Sequence, residues 1–317
     1  MPPFPKPRFK YHYDAVPEIA ALRQYVATEP GRAVPKKAAD RVLLVTWNIA
    51  NLGVQQRRDS DYRLLAEVLS WFDVAAVQEC HDNLAGIQAI KANLPDSFRL
   101  LFSDAAGNNE RLTFLYDADK VTLLEEVGEV APAPSEYPHI RLPGVRRRFD
   151  GFDRNPYLAT FRAGTFTFSL VNVHLYYGSN KAADIGRRCL ETFAVALWAD
   201  RRRRSKYAFA HDILPLGDFN LPKTEPGDPV YSALTRRGLH LPDHSTKIGS
   251  SIAKDEHYDQ IAFFPGDTKD DYTGRSGVID FDGAVFRDLW TRSEKNFRAY
   301  VRYYLSDHRP LWAEFKS

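Results

Sequence analysis

The chain has 317 residues, of which 26% are charged and 44% hydrophobic, and its formal net charge is +2. This composition is typical of a soluble globular protein and excludes a disordered chain. The 2 cysteines exclude a disulfide scaffold and a four-cysteine metal site. No segment approaches the roughly 18 apolar residues that cross a bilayer. The polar, proline-rich start lacks the apolar stretch of a signal peptide, so we expect a soluble, cytoplasmic protein without membrane insertion.

The chain divides into two unequal parts. Residues 1–40 are predicted to form an N-terminal extension with one short helix, which begins near Pro17. From residue 41 onwards, compact apolar and β-branched runs appear, and these are typical of buried strands. At roughly 150 residues per domain the chain length suggests two domains, but an α/β sheet can also extend this far as one domain.

The predicted elements of this domain follow one another in a mixed order. Apolar residues at helical spacing predict helices at 62–72, 84–94 and 185–198. Strands are predicted at 41–47, 74–78, 98–102, 112–116, 121–127, 157–162, 165–174, 213–216, 258–264, 301–305 and 310–315. Strands and helices do not alternate strictly, which favours packed sheets with outer helices over a Rossmann sheet or a TIM barrel.

Two arginine-rich segments are candidates for contact with an anionic substrate. The longest irregular stretch, residues 131–156, contains Arg146 to Arg148 and Arg154. A loop of this length inside a compact domain is usually functional or disordered. A second run, Arg201 to Arg204, closes a predicted helix, where cations are also favoured by the helix dipole.

The polar residues that could take part in catalysis or bind a metal all lie at the end of a predicted strand. Each alone is most simply a turn or capping residue. Together they suggest a site, because strand ends aim side chains rigidly while leaving them accessible. The set consists of Asn48, Glu79, His174, Asp218, Asn220, Asp259, Asp307 and His308.

The residue types fit metal-assisted hydrolysis of a phosphate ester. Glu79 and Asp307 offer carboxylate oxygens and Asn48 offers a carbonyl oxygen, a donor set that suits Mg²⁺ or Mn²⁺. His174 and His308 supply two imidazoles, and an imidazole side chain is the type of group that proton transfer near neutral pH ordinarily uses. Candidate partners that could orient these imidazoles are Asp259 and Glu79.

The segments that carry these residues resemble the endonuclease/exonuclease/phosphatase superfamily, the DNase I-like enzymes. They arrive in the order of the family and extend over residues 41–317. The matching segments are TWNIANLG (46–53), VAAVQEC (74–80), ERLTFLYD (110–117), LVNVHLYYG (170–178), LPLGDFNLPK (214–223), YDQIAFF (258–264) and YLSDHRPLW (304–312). The resemblance implies an α/β fold, a four-layered sandwich of two facing mixed β-sheets flanked by helices, in which residues 41–317 form a single domain.

The resemblance also implies a role for each site residue. Asn48, Glu79 and Asp307 would lie at the metal site. His308 would be the catalytic histidine with Asp259 as its carboxylate partner, and His174 would protonate the leaving oxygen or neutralise the phosphate. Two further roles complete the assignment: Asp218 and Asn220 would orient the water and bind the scissile phosphate, and Arg111 would contact the phosphate.

Two details favour one branch of the family. Abasic-site endonucleases carry a carboxylate where this chain has Ala50 and a tyrosine where it has His174. Inositol polyphosphate 5-phosphatases carry a P-x-W-C-D-R stretch where this chain reads EHYDQI.

We therefore expect a metal-dependent phosphodiesterase acting on nucleic acid, most simply a DNase I-type endonuclease. The alternative is a phosphohydrolase of the same fold, acting on a phospholipid head group or a small phosphoester. An inactive scaffold would have lost catalytic positions, and none is lost.

Overall fold

The computed structural model describes residues 4–317. Its helices are α1 Ala15–Thr28, α2 Asp59–Ser70, α3 Ala85–Lys91, α4 Ala182–Arg203, α5 Pro229–Thr235, α6 Pro265–Thr268, α7 Arg287–Arg292 and α8 Glu294–Tyr304. Its strands are β1 Arg41–Leu52, β2 Val74–His81, β3 Phe98–Phe102, β4 Glu110–Asp117, β5 Thr122–Glu129, β6 Tyr157–Ala163, β7 Phe166–His174, β8 Asp212–Asp218, β9 Asp259–Ile261, β10 Tyr272–Val278 and β11 Leu311–Lys316.

The strands form two mixed sheets. The first has 6 strands in the order β10-β11-β1-β2-β4-β3, and the second has 5 strands in the order β5-β6-β7-β8-β9. Each sheet contains one parallel pair, β1 with β2 and β7 with β8, among antiparallel neighbours. The expected mixed-sheet α/β architecture is therefore confirmed.

The two sheets face each other across a shared apolar core. This core contains Leu44 and Phe114 from the first sheet and Phe168 and Leu214 from the second, all fully buried. Helices cover the outer faces: α1, α2, α7 and α8 pack on the first sheet, and α4 and α5 pack on the second. The central strands β1, β2 and β7 are buried on both faces, so their sequences are nearly continuous apolar runs rather than alternating ones, whereas the edge strand β5 is half-exposed.

The N-terminal extension packs against the domain. Its helix α1 is capped by Asp14, whose carboxylate accepts from the Val16 amide, and Leu22 is fully buried in the core beneath it. The hydroxyl group of Tyr13 donates to Asp61 at 2.8 Å, and Tyr25 donates to Asp280 at 2.8 Å. Aromatic hydroxyl groups thus link the extension to side chains on the first-sheet side of the molecule.

One predicted element is wrong. Residues 301–305 are predicted as a strand, but residues 301–304 form the last turn of helix α8 and Leu305 is its C-cap. The helix begins at the Ser293 cap, and its buried residues Phe297, Tyr300, Val301 and Tyr304 recur every three or four positions. The short run VRYYL contains valine and tyrosine, residues that favour strands, and taken alone it is too short to show the helical spacing.

The topology brings several strand ends to one edge of the sandwich. The parallel pairs β1–β2 and β7–β8 end there, while β4, β9 and β11, antiparallel to their neighbours, begin there. Within residues 4–317, no helix has the length and apolar character needed to cross a membrane.

Candidate active site

The strand registers place polar residues of the second sheet side by side. Asp218, at the end of β8, pairs in register with His174 on β7 and with Asp259 on β9. Gly217 precedes Asp218 with φ +133°, and a Cβ atom there would lie 2.1 Å from the Val173 carbonyl oxygen. Only glycine allows β7 and β8 to approach this closely, so the GDFN segment has a structural as well as a chemical requirement.

A hydrogen-bonded group joins the two sheets. The side-chain amide of Asn48 donates to Glu79 Oε1 at 3.0 Å and to Asp218 Oδ2 at 3.0 Å. Glu79 Oε2 accepts from the Asn51 amide at 2.8 Å. Glu79 is buried and has φ +59°, a left-handed conformation that non-glycine residues rarely adopt. Such backbone strain persists where surrounding contacts hold a functional side chain in place.

Asp259 and His308 form a buried carboxylate–imidazole pair. Asp259 Oδ2 lies 2.7 Å from His308 Nδ1, and Asp259 is fully buried. Burial tends to lower the pKa of His308, but the charge and hydrogen bond of Asp259 prevail and hold that pKa well above its usual value. A fixed, charged imidazole therefore presents its other nitrogen to the site.

A second carboxylate–imidazole pair involves a residue that the sequence did not single out. Glu110 Oε2 lies 3.1 Å from His174 Nδ1, and both residues are buried. Burial tends to raise the pKa of Glu110, but His174 and Arg154 lower it to about 2. Glu110 begins β4 opposite His81, so its position depends on strand pairing between distant segments. The only sequence signal was an acid at the start of a buried strand.

Asp218 is the carboxylate between the two imidazoles. Burial tends to raise the pKa of Asp218, but the charges of His308 and His174 lower it below its usual range. Its Oδ1 accepts from the Asn220 amide at 2.8 Å, and His174 Nε2 lies 3.7 Å from its Oδ2. Asp218 is therefore ionised and positioned to accept a proton or one more hydrogen bond.

Ser306 fixes the segment that carries Asp307 and His308. Its hydroxyl group donates to the Asn48 carbonyl at 2.7 Å and accepts from the His308 amide at 3.0 Å. The buried Trp47 ring donates to the His308 carbonyl at 2.8 Å. Burial raises the pKa of Asp307, and the nearby charge of Glu79 raises it further against the opposing effect of His308.

The chemistry of these residues fits a divalent cation. The side-chain carbonyl oxygen of Asn48, Oδ1, is buried and has no hydrogen-bond partner among residues 4–317. Glu79 and Asp307 bring negative charges close enough to disfavour each other. A different set, Asp218, Asp259 and His308, also places ligand atoms within 4.8 Å of one another. In that set, however, Asp259 is already bonded to a charged imidazole, which repels a cation.

Arg111 and Arg154 both have partners within the protein. Arg111 is paired with Asp82 at 2.5 Å and donates to the Ser103 carbonyl at 2.6 Å. Arg154, expected in an accessible loop, is buried and donates to the His174 carbonyl at 2.9 Å. Its position against His174 and Glu110 makes it part of the site.

The run Arg201 to Arg204 lies away from the site. Helix α4 leads back from the end of β7 to the start of β8, so its last turn is at the opposite end of the sheet. Every arginine of the run pairs with a carboxylate, including Glu136, Glu126, Asp267 and Asp200. This run is an ion-paired helix end.

Comparison with known proteins rests on structure. No family model and no curated protein matches the chain in sequence. An endonuclease/exonuclease/phosphatase family protein from Bacteroides thetaiotaomicron is 18% identical, with a TM-score of 0.56 over 87% of this chain and 95% of that chain. The mannosyl-6-phosphatase of Bacteroides thetaiotaomicron VPI-5482 is 18% identical, with a TM-score of 0.54 over 86% of this chain and 99% of that chain.

A third solved structure contains nucleic acid. TDP2 of D. rerio, complexed with a single-strand DNA product, is 15% identical, with a TM-score of 0.54 over 87% of this chain and 99% of that chain. These proteins share the two mixed sheets and flanking helices found here. The chain therefore has the fold of the endonuclease/exonuclease/phosphatase superfamily, the DNase I-like sandwich.

Proposed function

We propose that the protein is a divalent-metal-dependent phosphodiesterase that hydrolyses nucleic acid. The observation that carries this proposal is the convergence of Asn48, Glu79 and Asp218 in one hydrogen-bonded group beside the Asp259–His308 pair. Carboxylates for a cation, an ionised acceptor and oriented imidazoles are the components that phosphate-ester hydrolysis needs.

Asn48, Glu79 and Asp307 would hold the cation, Mg²⁺ or Mn²⁺. When bound, it would neutralise charge on the phosphate and stabilise the developing negative charge of the transition state. The side-chain oxygen of Asn48, which has no hydrogen-bond partner among the described residues, and the adjacent acids support this assignment over the group of Asp218, Asp259 and His308.

The proton transfers follow from the fixed partners. Asp218, ionised and bonded to the Asn220 amide, accepts a proton from the attacking water as the new phosphorus–oxygen bond forms. His174, oriented by Glu110, supplies a proton to the leaving oxygen as the old bond breaks. His308, held by Asp259, contacts a phosphate oxygen through its other nitrogen. Asn220 and Arg111 are proposed to contact the phosphate as well.

The solved structures that resemble this chain support two substrate classes, of which we propose nucleic acid as the first. TDP2 was captured with a single-strand DNA product, which supports a nucleic-acid phosphodiester. The mannosyl-6-phosphatase supports the alternative of a small phosphoester. An endonuclease mode is our working proposal within the first class.

A substrate panel tests the proposal. Plasmid DNA, single-stranded RNA, bis-p-nitrophenyl phosphate, sphingomyelin, mannose 6-phosphate and inositol phosphates are each incubated with Mg²⁺ or Mn²⁺. We expect metal-dependent cleavage of a nucleic acid and of bis-p-nitrophenyl phosphate. Cleavage of only the lipid or the phosphomonoesters would replace the proposal with its alternative, and no cleavage of any substrate would overturn both.

A further inference from the structure

A cavity of about 510 Å³ adjoins the candidate active site. Helix α8 forms one wall, with Ala299 and Val301, and Ile252 from the loop before β9 contributes further apolar surface. Ser306 and Asp307 line the same cavity, so it opens directly beside the proposed metal ligands. Its volume lies within the roughly 300–1,000 Å³ typical of small-molecule sites.

The cavity also carries positive charge. Lys295, Arg298 and Arg302 lie along its wall, at successive turns of α8. Arg298 is paired with Glu294 at 2.6 Å, whereas Lys295 is exposed and has no ion pair among residues 4–317. The Arg302 guanidinium lies 4.5 Å from the Phe4 ring centroid, and its buried Nε atom has no hydrogen-bond partner within the described part of the chain.

An apolar cavity beside an exposed lysine, and beside an arginine whose Nε atom lacks a hydrogen-bond partner within the described residues, favours an occupant with a flat apolar body and a phosphate. We propose that this cavity binds the nucleotide next to the scissile phosphate of a single-stranded nucleic acid. The unpaired base would lie against Ala299 and Ile252, and its phosphate would contact Lys295 and Arg302. This proposal rests on the proposed function, because it names the binding site of the nucleotide adjacent to the phosphate that is cleaved.

Single strands are favoured for a geometric reason. A base can enter a concave cavity only when it is unstacked and unpaired, which costs several kcal/mol in a duplex and little in a single strand. Contacts to base faces from aliphatic and guanidinium groups tolerate any sequence. The inference therefore predicts strand preference without base specificity.

Binding is tested apart from catalysis by fluorescence anisotropy of a labelled oligodeoxythymidylate in EDTA. Ala299→Trp fills the cavity and is expected to weaken binding by about tenfold, the effect of losing one stacked base. Lys295→Gln removes an exposed cation and is expected to weaken binding severalfold and to reduce its salt dependence, because one phosphate contact is lost. Controls are Thr291→Trp, on exposed helix α7, and Lys269→Gln, at the far end of the sheets. Both controls should bind like the wild type.

Several outcomes would overturn the inference: equal affinity of the cavity variants and the controls, equal affinity for duplex and single strand, or competition by anionic phosphatidylglycerol vesicles instead of DNA. In a parallel assay, the cavity variants should raise KM for the oligonucleotide and leave hydrolysis of bis-p-nitrophenyl phosphate unchanged. Failure of the wild type to hydrolyse bis-p-nitrophenyl phosphate would count against the proposed function, while the anisotropy result would still decide the cavity.

Discussion

At the scale of single residues, His308 is held both by Ser306, two residues away in the chain, and by residues that are distant in sequence. Ser306 and Trp47 hold its backbone, and Asp259 holds its ring. Asp259 lies on β9, far away in sequence, and reaches His308 only because the sheets bring β9 and the start of β11 to one edge. Removing either side chain should disable the same step.

We therefore expect non-additive losses from this pair. Asp259→Asn and His308→Ala should each reduce turnover about 100-fold or more, and the double variant should lose little beyond the worse single variant. His211→Ala, at the far end of the sandwich, is the matched control and should retain wild-type turnover. Strictly additive losses in log turnover would show that the two residues act separately.

Glu191 is a buried residue whose ionisation opposes folding. Its carboxylate on α4 accepts from the Tyr176 amide at 3.1 Å and the Asp153 amide at 3.3 Å, and so joins the loops that follow His174 and precede Arg154. Burial raises the pKa of Glu191 to about 7, against the opposing effects of the Tyr176 amide and Arg187.

This raised pKa predicts the sign of a pH dependence. The unfolded chain loses the Glu191 proton near its ordinary pKa of about 4.5, whereas the folded chain keeps it until about pH 7. The contribution of this group to stability is therefore greatest below about pH 4.5, and falls by about 3 kcal/mol as the pH rises through about 7.

The variant Glu191→Gln cannot ionise and should lack this decline. Denaturant unfolding at pH 5 and pH 8 should show the free energy of unfolding of the variant rising relative to the wild type. The exposed Glu225→Gln serves as the control and should track the wild type. Parallel curves for wild type and Glu191→Gln would contradict the assignment.

At the scale of elements, Arg57 ties the end of β1 to the end of α8. Its buried guanidinium donates to the carbonyls of Ala50 at 2.6 Å, Leu305 at 2.9 Å and Tyr304 at 3.1 Å. Burial lowers the pKa of Arg57 to about 10. Because Asn51 bonds Glu79 and Leu305 precedes Ser306, this one side chain positions both parts of the proposed metal site.

Arg57→Met should destabilise the fold by about 2–4 kcal/mol, because buried carbonyls lose their donors. Turnover should fall as well, and Arg57→Lys, which keeps a donor, should recover part of both losses. Denaturant unfolding and turnover are measured beside Arg63→Met, an exposed arginine of α2. A variant with lower stability but wild-type turnover would leave Arg57 with a structural role alone.

Elements were predictable where the apolar pattern was long or regular. The buried strands β1, β2 and β7 follow from continuous apolar runs, and α4 follows from its helical spacing. The prediction failed at α8, because residues 301–305, its last four residues and its C-cap, alone resemble a strand, and the capping serine lies eight residues upstream of Val301. Glu110 was missed because only the pairing of β4 with β2 brings it to the site.

At the scale of the whole molecule, charge is distributed unequally between the two ends of the sandwich. Arg146 to Arg148 are exposed, with Arg147 paired to Asp150 at 3.0 Å, whereas Arg201 to Arg204 are ion-paired at the far end. Only the first group belongs to the loop that leads to Arg154 and His174. Sequence alone could not separate these groups, because both are runs of arginine.

We expect cleavage of nucleic acid to decline with salt more steeply than cleavage of bis-p-nitrophenyl phosphate. Replacing Arg146 to Arg148 with alanine should flatten the log–log slope by about one to three, since each phosphate contact contributes about 0.9. Arg201→Ala and Arg204→Ala form the matched control and should keep the slope. An unchanged slope in the loop variant would mean that this loop does not touch the substrate.

Glu79 is proposed to bind a divalent cation that phosphodiester hydrolysis requires. The rate of bis-p-nitrophenyl phosphate hydrolysis is measured against Mg²⁺ and Mn²⁺ concentration for wild type, Glu79→Gln and the distant control Glu67→Gln. We expect saturable, EDTA-sensitive activity in the wild type and control, and an apparent metal affinity at least about tenfold weaker, with reduced turnover, in Glu79→Gln. Wild-type hydrolysis that persists in EDTA, or superimposable metal curves for wild type and Glu79→Gln, would contradict this proposal.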